Sequence, residues 1–103
     1  MTIQTLNFSF PAARTPARRA HAGVVASGDL EILFEPLDDD TPGAQVRVRT
    51  SVHGFDEIWH DVLARFFART PLAGRWELND SSATPAMVAI RLRQAATAAR
   101  NGS

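Results

Sequence analysis

Apolar and polar residues alternate over the first ten positions. Leu6, Phe8 and Phe10 recur at every second residue, with Asn7 and Ser9 between them, which is the period of a strand that buries one face. This predicts a strand over 3–10. Two prolines in PAARTPA break it and read as a loop. A second strand is expected from Arg18 to Ala26 and a third from Leu30 to Phe34, with Leu30 and Ile32 on one face and Leu33 near the end. PLDDDTPG is a polar loop. AQVRVRTSV alternates again, setting Val46 and Val48 against Arg47 and Arg49. It predicts a fourth strand with an exposed arginine face.

The period then changes. Phe55, Ile58, Trp59, Val62, Leu63, Phe66 and Phe67 recur at three and four, the spacing of an amphipathic helix. Asp56 and Glu57 open it and Arg65 and Arg69 stand near its end, both favourable to the helix dipole. Asp61 and Arg65 are four apart and expected to pair on the wet face. Pro71 and Gly74 close the helix, and RWELN follows as a short fifth strand. In the last segment Val88, Ile90 and Leu92 alternate as in a strand, yet Thr84 before Pro85 fits an N-cap followed by proline at the first helical position. The alanine-rich tail also favours a helix, which is expected from about Pro85 to Ala99. The order β-β-β-β-α-β-α predicts an α+β fold: a mostly antiparallel sheet of about five strands, with two helices packed on one face.

A chain of 103 residues suits one domain, 1–103, and buries roughly 65% of its unfolded surface. Eleven acids balance eleven bases, so the molecule as a whole carries no electrostatic case for binding nucleic acid or an anionic membrane. All eleven bases are arginine, and alanine occurs 17 times, a bias that fits genome composition better than a recognition surface. Cysteine is absent. That excludes a disulfide framework, a thiolate metal site and a cysteine nucleophile. MTIQTLNFSF lacks the basic and apolar regions of a signal peptide, and no apolar run reaches the length of a membrane span. The expected location is the cytoplasm.

Most constellations of chemistry-bearing residues fail on spacing. His21, His53 and His60 lack the i, i+4 pairing of a helical metal site. The run Asp38, Asp39, Asp40 lacks the twelve-residue calcium pattern with its closing glutamate and reads as a solvated acidic loop. No metal site and no catalytic residue is assigned. Trp59, Phe66 and Phe67 are expected in the core. Arg47 and Arg49, with Arg18 and Arg19 placed nearby, form either a sheet face blunted by charge or a patch that meets phosphates, since arginine forks match phosphate oxygens.

VVASGDLEIL sets Ser27 beside Gly28 and Asp29 between two apolar runs. A serine hydrolase would need a base and an oxyanion hole, usually around a Gly-x-Ser-x-Gly elbow, and neither is present in this stretch. Ser, Gly and Asp all favour tight turns, and Gly28 supplies the positive φ that a hairpin turn requires. Ser27 is therefore expected at a hairpin tip with its hydroxyl in water, either as turn chemistry alone or as a hydroxyl presented to another molecule.

The pieces RAHAGVVASGDLEILFEP, VRVRTSVHGF, DVLARFFAR and ELNDSSATPAMVAIRLRQA, in that order, resemble the acyl carrier (delta) subunits of malonate decarboxylases. The likeness runs from about Leu6 to Ala96. The related citrate lyase carrier shares the Ser-Gly-Asp start, but RAH before the glycine and ATP before the last helix fit the malonate family better. The resemblance implies that Ser27 carries a covalent 2'-(5''-phosphoribosyl)-3'-dephospho-CoA group through a phosphodiester, with Gly28 and Asp29 beside it. Its terminal thiol would bear acetyl and then malonyl. Arg18, Arg19, Arg47 or Arg49 would contact the phosphates or an acidic partner. The implied partners are the transferase (alpha) and decarboxylase (beta, gamma) subunits, a prosthetic-group transferase and a malonyl transferase. The chain itself would be a non-catalytic carrier. The competing readings are a citrate lyase-type carrier and a non-covalent interaction module in which Ser27 only shapes a turn.

Overall fold

The computed structural model describes residues 2–16, 18–37 and 43–101. The elements are β1 (Gln4–Phe10), β2 (Ala20–Gly23), β3 (Asp29–Glu35), β4 (Ala44–Thr50), α1 (Asp56–Arg69), β5 (Gly74–Ser81) and α2 (Pro85–Asn101). The strands form one sheet in the order β1-β4-β5-β3-β2. Three of the four pairings are antiparallel; β4 and β5 run parallel, because the intervening α1 carries the chain back to the starting edge, as a parallel pair requires. This is the α+β, mostly antiparallel architecture that the hydrophobic pattern predicts. The acidic run Asp38–Asp40 lies outside the described residues.

Alternation along the strands sorts the two faces. Val46, Val48, Trp76, Leu78, Leu30, Ile32 and Phe34 are buried, while Arg47 and Arg49 stand exposed between them. Both helices cover the apolar face, α2 over β2 and β3 and α1 towards β1. Trp59, Leu63 and Phe67 are the buried residues of α1; Val88, Leu92, Ala95, Ala96 and Ala99 are those of α2. The α2 stripe settles the ambiguity of that segment. Its buried positions recur at three and four, and Ile90, which the strand alternation needs inside, is exposed.

Trp76 is the hub of the core. Its ring centroid lies 4.7 Å from Phe34, 5.4 Å from Phe67 and 5.7 Å from Phe66, mostly in edge-on arrangements that suit aromatic quadrupoles. Its indole N–H is not left orphaned: it donates to the Leu72 carbonyl at 3.1 Å. Thr50, wholly buried, donates to Asp80 Oδ2 at 2.9 Å and accepts from the Val52 N–H. Asp80 Oδ1 accepts from the Ala83 N–H at 3.0 Å. This chain of bonds ties the end of β4 to the β5–α2 connection, so the polar atoms it buries are satisfied.

Two local expectations differ from the structure. The second strand spans only Ala20–Gly23 rather than Arg18–Ala26; its early end lies at Gly23, which has a positive φ. Asp61 does not pair with Arg65; its carboxylate lies 3.5 Å from His60 Nδ1 instead, an exposed contact of little energetic consequence.

Thr84 caps α2 as its sequence predicts: its Oγ1 accepts from the Met87 N–H at 3.2 Å. Thr84→Ala should cost about 1 kcal/mol and lower the melting temperature by roughly 4–8 °C, read by thermal unfolding. An unchanged midpoint would mean that the cap contributes nothing to α2.

Candidate functional site

The site is the hairpin joining β2 to β3. Ala26, Ser27, Gly28 and Asp29 form a four-residue turn closed by the Asp29 N–H donating to the Ala26 carbonyl at 2.9 Å. Gly28 sits at φ +80, the value of the third residue in a type II turn, which favours glycine. Ser27 precedes it and is exposed, with exposed Val24 and Val25 leading into the bend. A methyl group added at Gly28 would meet no atom within 4 Å, so the space around the bend is open.

Gly23 explains where β2 ends. It lies at φ +74, and a Cβ there would stand 2.0 Å from the Leu30 carbonyl oxygen. The chain therefore leaves the ladder at Gly23, and residues 24–28 make a protruding loop instead of a continued strand. The Gly28 N–H donates to the Ser81 carbonyl at 2.8 Å, which anchors the loop to the end of β5.

Asp29 supplies the second anchor. Arg91 of α2 donates from Nε to Asp29 Oδ1 at 2.9 Å and from Nη2 to Oδ2 at 2.7 Å, a two-pronged arrangement suited to a guanidinium and a carboxylate. The Leu30 N–H also donates to Oδ1, at 2.7 Å. The Arg91 hydrogen bonds, then that of Leu30, hold the Asp29 carboxyl below its ordinary value; partial desolvation opposes them and the Arg91 charge adds to them. Arg91 is correspondingly raised, and its Nη1 donates to Gln94 at 2.8 Å. The negative charge beside Ser27 is thus neutralised by a fixed cation.

The four arginines singled out by sequence do not gather here. Arg19 lies 3.9 Å from Glu35, and Glu35 ends β3 whereas Asp29 begins it. That is six residues away, about 20 Å along a strand. Arg18 precedes Arg19 at the same end. Arg47 is bonded to Glu77 on the open sheet face. Arg49 is exposed in the register row Arg49–Asn79–Glu31–Gly23, three strands from β2. The cation that touches the Ser-Gly-Asp turn is Arg91, which pattern reading did not single out. Its one sequence signal is its place three residues after buried Val88 and one before buried Leu92, at the margin of the apolar stripe.

No group of three or more His, Asp or Glu among the described residues is placed to hold a metal ion. His21 faces Glu31 at 3.3 Å, His53 faces the Thr2 carbonyl at 3.0 Å, and His60 packs against Phe8 and Phe10. Among the described residues no helix is long and apolar enough to cross a membrane.

Because Asp29 is held depressed in the folded chain, its contribution to stability is complete above the ordinary aspartate value and is lost as pH falls through the lowered one. Asp29→Asn should therefore lower the urea midpoint at pH 7, and its gap to the parent should narrow below about pH 4, the unperturbed aspartate value. A gap independent of pH would show that the charge on Asp29 is immaterial.

Residues 17–99 match the family model described as malonate decarboxylase delta subunit (MdcD), an acyl carrier protein. The malonate decarboxylase acyl carrier protein of Pseudomonas fluorescens SBW25 is 44% identical over 94 residues, covering 89% of this chain and 92% of that protein. The one from Burkholderia cepacia is 45% identical over 97 residues, covering 91% and 88%. Among solved structures, a chain in the crystal structure of a Pseudomonas malonate decarboxylase hetero-tetramer in complex with malonate superposes with a TM-score of 0.84 at 40% identity, covering 93% of this chain and 98% of that one. With a family model spanning most of its length and relatives of this similarity, the chain belongs to the malonate decarboxylase delta-subunit family of acyl carrier proteins.

Proposed function

We propose that this protein is the acyl carrier of a malonate decarboxylase and that Ser27 Oγ is the atom through which it bears a phosphoribosyl-dephospho-CoA group. The observation that carries the reading is an exposed serine on a two-point-anchored turn, in a chain with no sulfur nucleophile of its own. When bound, the group supplies the thiol that holds an acetyl or malonyl unit. Everything else asked of this chain is presentation.

The residues fit that task. Ser27 is exposed, so a modifying enzyme can approach it from outside. Gly28 provides the bend, and the absence of a side chain there leaves the approach clear. Asp29 left alone would repel an incoming phosphoryl group, and the Arg91 guanidinium removes that repulsion while fixing the turn. Gly28 and Arg91 tie the loop to β5 and α2, so motion of a tethered group comes from the tether and not from the protein. Covalent attachment keeps an acyl unit at high effective concentration near the transferase and decarboxylase subunits that would act on it in turn. A base for abstracting the serine proton is expected from the modifying enzyme, because no histidine among the described residues neighbours the turn.

Intact mass spectrometry of the chain produced with its modifying enzymes checks this. The parent should gain the mass of one phosphoribosyl-dephospho-CoA group less the atoms lost on ester formation, and Ser27→Ala should gain nothing. An unmodified parent under conditions where the enzymes are active would favour the interaction-module reading, and an adduct that persists in Ser27→Ala would place attachment elsewhere.

A further inference from the structure

The helical layer has a feature that carriage of a group on Ser27 does not use. An apolar trough runs along α1, on the side where the first turns of α2 approach it. Its first half, about 460 Å³, is lined by Phe55, Ile58, Trp59, Val62, Pro85 and Val88. Its second half, about 610 Å³, shares Val62 and Pro85 and continues past Phe66 to Arg65, Arg69 and Arg93. The 14 residues of α1 make the trough about 21 Å long at 1.5 Å per residue.

Two residues of the trough occupy positions that local energetics disfavour. Phe55 is the N-cap of α1 and makes no side-chain capping bond; Ser, Thr, Asp or Asn would serve the helix better. It is instead a 44% exposed aromatic, next to Ile58 at the same exposure. Ser82 adopts φ +63, the one left-handed non-glycine among the described residues, and such strain gathers at functional sites. Ser82 also joins the trough to the carrier turn. It follows Ser81, whose carbonyl accepts the Gly28 N–H at 2.8 Å.

The charges are divided by end. Near Phe55 the trough contains Asp80, with exposed Asp56 and Glu57 on the first turn of α1, and no arginine lines it. At the far end stand Arg65, Arg69 and Arg93, to which no carboxylate among the described residues forms a salt bridge. Arg69 suits the helix dipole, but Arg93 lies mid-way along α2 and has no such explanation.

From this layout we propose that the trough seats an amphipathic helix of a partner subunit, with its apolar side on Phe55, Ile58 and Val62, a basic end over Asp56 and Glu57, and an acidic end over Arg65 and Arg93. Apolar grooves that receive a helix in this way are a recurrent recognition mode. The charge layout selects this occupant over a phosphate-bearing tether, since the end nearest Ser27 is acidic and repels phosphate. Docking there fixes the position of the Ser27 turn relative to the partner. The inference rests on the carrier reading, in that the partner is a subunit that acts on the group Ser27 bears.

Titration calorimetry of the full chain with the purified transferase and decarboxylase subunits of the same complex tests it. Phe55→Ser should weaken binding at least tenfold while leaving the melting temperature unchanged or raised, because serine is the better cap. Arg65→Glu with Arg93→Glu, both on exposed positions, should do the same at low salt and less at high salt. Binding unaltered in both variants overturns the trough as the docking site and leaves the carrier reading standing on the mass of the Ser27 adduct. A parent that binds none of the subunits overturns it as well. Variants that abolish only self-association, or that change Trp59 fluorescence only in Ser27-modified protein, would assign the trough to a second copy or to the chain's own tether and also overturn it.

Discussion

The ion pair between Asp29 and Arg91 is the contact on which the proposed site depends. It joins the first residue of β3 to the middle of α2, 62 positions later, so the Ser27 hairpin is held by the helical layer as well as by the sheet. Without it, the loop after the four-residue β2 would be tied to the sheet by the Gly28 N–H bond to the Ser81 carbonyl at its far end and to nothing in the helical layer by a side-chain bond among the described residues. The pair also settles an electrostatic conflict. An acid closing the turn would be hostile to the proposed phosphodiester, and a guanidinium that cannot lose its proton neutralises it at any physiological pH.

The rest of the fold can be read as what holds the two partners of that pair in place. Trp76, at the centre of the sheet, gathers Phe34, Phe66 and Phe67, locking β3, β5 and α1 together. Thr50 and Asp80 pin the segment leading into α2, and Thr84 starts that helix. With α2 seated by Val88, Leu92 and Ala96, Arg91 has one side to face, the hairpin. The carrier function proposed here asks for a rigid pedestal under a mobile tether, and these contacts supply the pedestal.

How much of this was legible in sequence depended on the range of the physics involved. The alternation around Val46 and Val48, the helical period from Phe55 to Phe67 and the Thr84–Pro85 start are local signals, and each element stands where they put it. The Ser27–Gly28 bend is likewise local turn chemistry. The extent of β2 was not legible. Arg18 to Ala26 looks extended, and it is the left-handed bend at Gly23, close against the Leu30 carbonyl, that ends the strand before Val24. Nor does any local pattern place β5 between β4 and β3, a consequence of the α1 crossover. Arg91 and the trough beside Phe55 were invisible for the same reason: the groups they meet are distant in the chain. Arg18 and Arg19 drew notice as a basic pair, yet the hairpin register puts them at its opposite end.

The most direct test of this account is the time course of Ser27 modification by the purified modifying enzyme, with Arg91→Ala set against the parent and folding of both confirmed by circular dichroism. The account predicts labelling slowed at least tenfold when Arg91 is removed, because the turn is loosened and Asp29 is left unneutralised. Labelling at the parental rate would contradict it.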